Sequence, residues 1–92
     1  MGDLDHLPGG DLVSRGLADL AAGRESAEAL LVAIGEPRLR RLGLEIPPHR
    51  LDNPEHSLYL LLALEDEATA HSRYNALIRR LVSFERAAEC AG

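Results

Sequence analysis

The chain has 92 residues and a net charge of −5, which bounds it to one domain and argues against non-specific binding to nucleic acid or to an anionic membrane surface, both of which reward excess positive charge. Hydrophobic residues make up 46% of it, too many for a disordered protein. They include eighteen Leu and thirteen Ala against three Val and three Ile, a balance that favours helices over sheets and predicts an all-α domain.

Residues 1–10, MGDLDHLPGG, read as a flexible N-terminal arm, because Pro8, Gly9 and Gly10 interrupt any helix before it starts. The rest, 11–92, reads as a single helical domain. Asp11 suits an N-cap, Leu12, Val13, Leu17, Leu20 and Ala21 recur at helical spacing, and Gly23 is a natural stop, so the first helix is expected over 11–22. Ser26 caps the next, with Glu28 in its first turn and Leu30, Leu31 and Ile34 inward; Gly35 ends it, giving 27–34. Pro37 suits the first position of a third short helix over 37–42. Gly43 ends that one, and Leu44 is placed to fold back on Leu39 as in a Schellman motif.

Pro47 and Pro48 impose an extended path, so 45–52 reads as a connector. Asn53, Pro54 and Glu55 open a fourth helix over 54–64. Glu65, Asp66 and Glu67 interrupt the apolar pattern, and Asp66 can cap a fifth helix over 67–89. One continuous helix from 54 to 89 is the alternative; the break is favoured because two antiparallel helices bury the leucines better. The expected fold is a small bundle of about five helices. Three short ones come first, then the Pro-rich connector, then a C-terminal hairpin that carries most of the core.

The run LYLLLAL, 58–64, matches a buried strand on periodicity alone, but the Asn-Pro-Glu start and the lack of β-branched residues decide for helix. Such a helix is apolar all round and must be surrounded. A chain this small has little with which to surround it. The sequence therefore points to a homodimer whose interface uses Leu58, Leu60, Leu61, Leu62 and Leu64, rather than to a compact monomer with a central helix.

On the last helix, Tyr74, Leu77, Ile78, Leu81, Val82, Phe84 and Ala88 fill one arc, Arg79 and Arg86 face away, and Arg73 and Arg80 line a flank. Glu85 falls within the apolar arc, in line with Glu67 and close to His71. A buried carboxylate needs a partner or a proton. Its own helix offers no basic residue three or four positions away, which leaves Arg15, Arg24 or Arg38. The expectation is an exposed or ion-paired Glu85 rather than a reactive one.

The remaining signals are weaker. Glu67, His71, Tyr74 and Glu85 form a candidate polar site, and Glu67 with His71 at i, i+4 offers two metal ligands where a site needs three or four; no metal or cofactor is expected. Arg73, Arg79, Arg80 and Arg86 form a candidate surface for an acidic protein partner, though such residues more often pair with nearby carboxylates. The cluster Arg38, Arg40, Arg41 reads the same way. Residues 27–42 have loosely the spacing of a helix-turn-helix, but the second helix is short and the acidic charge opposes nucleic acid. No catalytic motif surrounds any serine, no Gly-rich phosphate loop occurs, and the single Cys90 excludes an internal disulfide. The N-terminus lacks a secretory pattern and no apolar run exceeds seven residues, so the protein is expected to be cytoplasmic, with no membrane span. The function expected is non-enzymatic association, as a homodimer and adaptor or regulator. The alternatives are a small enzyme or ligand- and metal-binding domain at the polar set, and a nucleic-acid-binding regulator using 27–42.

Overall fold

The computed structural model describes residues 4–91. Among them all regular structure is helical: a 3-10 turn at Leu4–His6, then α1 (Gly10–Ala21), α2 (Ala27–Arg41), α3 (Pro54–Glu65) and α4 (Ala70–Ala91). The all-α expectation holds, with four α-helices in place of five.

The difference lies in α2, which runs unbroken through Gly35 and Pro37 and so joins the helices expected over 27–34 and 37–42. Gly35 is not a stop. It is buried where α4 crosses, and a Cβ there would stand 3.1 Å from both δ carbons of Leu81 and from Glu85 Oε2. Pro37 lacks the N–H that would bond the Ala33 carbonyl, a local cost that the packing of α2 overrides. The fusion also removes the turn that a helix-turn-helix over 27–42 requires.

The local signals at the other boundaries are realised. Ser26 Oγ accepts from the Ala29 N–H at 3.1 Å. Gly23 and Gly43 both take positive φ and both close Schellman endings: Arg24 N–H reaches the Asp19 carbonyl at 2.8 Å, and Leu44 N–H reaches that of Leu39 at 3.1 Å. Pro54 opens α3, although the Asn53 side chain makes no capping bond. The α3–α4 break falls where the three acidic residues stand, but α4 starts at Ala70 rather than 67, because Asp66 spends its carboxylate on the Ala68 N–H (3.1 Å) in a turn over 66–69.

Of the arm expected over 1–10, residues 1–3 lie outside the described residues. Leu4 and Leu7 pack on the core, and Gly9 rather than Asp11 is the N-cap of α1. Gly9 has φ 74, and a Cβ there would collide with the Arg80 carbonyl oxygen, so both backbone and space demand glycine. Asp11 sits in the first turn instead and pairs with Arg80 at 3.0 Å, tying α1 to α4.

The encircled element is α2, not the leucine-rich α3. It packs on α1, α3 and α4, and Ala29, Leu30, Leu31, Val32, Ala33, Gly35 and Leu39 are buried along it. The core therefore centres on α2 rather than on the C-terminal hairpin. Gly16 makes the α1–α2 crossing close: a Cβ there would collide with the Glu28 carbonyl oxygen and with Val32 Cγ2.

Candidate functional site

α3 lies at the periphery and divides its leucines by helical angle. Residues two apart stand about 200° apart on a helix, so the 58/62 pair and the 60/64 pair face opposite ways. Leu58 and Leu62 are buried in the chain's own core, with exposures of 0% and 1%, while Leu60 and Leu64 face solvent at 49% and 85%. Leu58 and Leu62 are thus unavailable to a partner, because α2 and α4 already cover them; Leu61 is half-buried. Tyr59, exposed beside Leu60, leans on the half-buried Tyr74 of α4 with ring centroids 6.1 Å apart. The outward face of α3 is therefore Tyr59, Leu60 and Leu64. These are the large hydrophobic side chains that the described residues leave exposed.

The polar set expected around α4 does not converge. Glu67 is exposed in the turn before the helix, and His71 is exposed with Nε2 3.2 Å from Asn75 Nδ2. Tyr74 turns to Tyr59, and burial, followed by the charge of Glu55, pushes its hydroxyl pKa up. Glu85 lies fourteen positions beyond His71, about 21 Å along the helix. No group of three or more His, Cys, Asp or Glu placed to hold a metal ion occurs among the described residues.

Glu85 itself is buried at the α2–α4 seam, and Arg38, one of the three arginines expected, is its partner at 3.7 Å; Arg38 also reaches Glu89 at 3.5 Å. Burial pushes the Glu85 carboxyl above the usual carboxylate range, and the Arg38 charge offsets this only in part. A shallow groove of about 280 Å³ opens there between Ile34, Pro37, Arg41, Ile78 and Val82.

The arginine face is partly spent on internal pairs. Arg73 binds Glu65 at 2.7 Å across the α3–α4 turn, and Arg80 binds Asp11. Arg79 and Arg86 are exposed and make no ion pair among the described residues. Elsewhere Arg40 pairs with Glu36, and Arg24 with Asp19, so the clusters read from the sequence act mainly within the chain.

One polar arrangement had no signal in the sequence. His49, in the connector and thirteen residues from Glu36, places Nε2 2.7 Å from the Glu36 carboxylate, while its Nδ1 accepts from the Leu51 N–H at 3.2 Å. An Nδ1 that accepts carries no proton, so the neutral ring holds its proton on Nε2 and donates it to Glu36. Arg40 holds the other Glu36 oxygen at 2.7 Å and reaches the Ile46 carbonyl at 3.4 Å. Burial raises the Glu36 carboxyl, but the hydrogen bonds from Arg40 and His49 outweigh it and leave the pKa below the usual range. Beside His49 the connector and the α1–α2 turn form a cleft of about 370 Å³, lined among others by Leu20, Leu51, Arg24, Glu25 and Arg50.

No protein-family model, curated protein or solved structure matches the chain. No helix among the described residues is long and apolar enough to cross a membrane.

Proposed function

We propose that this protein works by association, with a second copy of itself as the partner and the outward face of α3 as the contact. The observation that carries this reading is the 85% exposure of Leu64, one turn beyond the half-exposed Leu60, on a helix whose other side is fully buried. In a two-fold antiparallel pairing, Leu60 of each copy opposes Leu64 of the other, so one short apolar stripe serves both sides. Scaled by their exposure, the four leucines contribute on the order of 4–8 kcal/mol. That is similar to the lower part of the cost of association, which starts at about 4 kcal/mol. The largest gain less the smallest cost leaves about 4 kcal/mol, so the dimer is weak, with a dissociation constant of about 1 mM at the tightest.

Sedimentation across roughly micromolar to millimolar protein tests this. The expected result is a weight-average mass that climbs from the 10.0 kDa of one chain toward twice that value, and a climb that Leu64→Lys abolishes while the helical signal is retained. A single 10.0 kDa species at every concentration would remove the proposal.

A further inference from the structure

We propose that His49 is a proton-operated latch on the connector, and that its protonation releases Leu51 and opens the cleft over Leu20. The two ring nitrogens have opposite tasks. Nε2–H donates to Glu36, which anchors the connector to α2; Nδ1 accepts from the Leu51 N–H, which folds the chain back two residues later in the manner of an Asx turn. A second proton can enter the ring only at Nδ1. It then faces the Leu51 N–H, donor against donor, and that bond is lost. The anchor on Glu36, already charge-assisted by the carboxylate, becomes a full ion pair at the same moment, so the ring stays with α2 while the chain beyond it comes free.

The charged groups around the ring fit a local event. Glu36 places a negative charge against the ring, and Arg40 places a positive charge on the same carboxylate. Arg24 and Glu25 from the α1–α2 turn and Arg50 from the connector, which line the cleft with His49, contribute one negative and two positive charges. The ring is largely buried, with a side-chain exposure of 15%, so its contacts are retained rather than exchanged freely with water. Leu51 is both the released residue and part of the cleft lining, which makes the cleft the part of the molecule that changes shape.

The test follows the ¹⁵N-labelled full chain by NMR from about pH 7.5 to pH 5, the range in which an imidazole titrates. In the neutral form the ring proton should lie on Nε2. The Leu51 amide shift should move with the same midpoint as the His49 ring, and its exchange, corrected for the intrinsic effect of pH, should rise several-fold to about tenfold, as expected for the loss of one hydrogen bond. His49→Asn places a non-titrating oxygen where Nδ1 stood, so its Leu51 amide should stay protected with no step. A Leu51 amide indifferent to the His49 titration, or a step that persists in His49→Asn, would overturn the proposal.

Discussion

Arg38 lies against Glu85 across the α2–α4 seam, its Nη1 3.7 Å from Oε1 of a residue that the chain around it leaves only 5% exposed. The contact is longer than a hydrogen bond, and burial outweighs it in setting the Glu85 pKa, which is raised. A group that binds its proton more tightly in the folded state stabilises the fold at acid pH, and that contribution is lost as the pH rises through the folded value.

Glu85→Gln should therefore leave stability at neutral pH unchanged or raise it, by up to about 1 kcal/mol. The advantage over the parent should fade on acidification. Arg38→Ala should cost about 1 kcal/mol at neutral pH, because it strands the carboxylate, and cost less when combined with Glu85→Gln. Urea denaturation of the double-mutant cycle at neutral and acid pH measures both effects. An Arg38→Ala cost that is the same in either background would show that the two side chains are uncoupled.

Two buried glycines should respond differently to the same methyl group. Gly16→Ala meets a backbone carbonyl and Val32 in direct collision, so it forces α1 and α2 apart, at a cost of about 1–3 kcal/mol. Gly35→Ala meets only the ends of Leu81 and Glu85 at 3.1 Å, which can shift. Alanine also favours the helix by about 1 kcal/mol, so the net change at Gly35 should stay within about 1 kcal/mol of zero. Denaturation midpoints with an unchanged urea dependence separate the two cases.

The leucines of α3 should divide in the same way. Leu62→Ala opens a cavity in the core and should cost about 2–5 kcal/mol. Leu64→Ser changes a side chain with 85% exposure and should alter the stability of the dilute monomer by no more than about 0.5 kcal/mol. Thermal unfolding at low micromolar concentration compares them before association contributes.

Acid should destabilise the fold through Glu36 and Asp19, opposite in sign to Glu85. The hydrogen bonds from Ser26 and then Arg24 hold Asp19 below its usual pKa, and those from Arg40 and His49 do the same for Glu36 against the effect of burial. A carboxylate with a lowered folded pKa stabilises above its unfolded value, and that stability is lost as the pH falls through the folded one. Glu36→Gln should therefore show a shallower loss of stability below about pH 4 than the parent. Circular dichroism melts at stepped acid pH record the slope.

Much of the fold was legible because its punctuation is local. Ser26, Gly23, Gly43 and the Asn53-Pro54 start act within a few residues of themselves, and each marks a true boundary. Gly35 looks the same in sequence, but its reason is Leu81 on another helix, forty-six positions away, so a local rule mistakes a crossing for an end. Gly9 is a second example, fixed by the carbonyl of Arg80. In α3 the pattern fails for a different reason. Seven consecutive apolar residues carry no periodicity, so nothing local tells Leu62 from Leu64, and only the placement of α2 decides. Arg38 could be narrowed to one of three partners for Glu85, whereas the thirteen-residue span from Glu36 to His49 has no recognisable spacing.

The tilted contact between the Tyr59 and Tyr74 rings has a practical consequence. The chain has no tryptophan and only these two tyrosines, so its near-ultraviolet chromophores sit almost entirely on either side of the α3–α4 hairpin. At 6.1 Å their transition dipoles couple, and the circular dichroism band near the phenol absorption is an intrinsic optical gauge of that hairpin, readable without any label. Opening of α3 away from α4, or a partner closing over Tyr59, would each change it while the far-ultraviolet helix signal stayed constant.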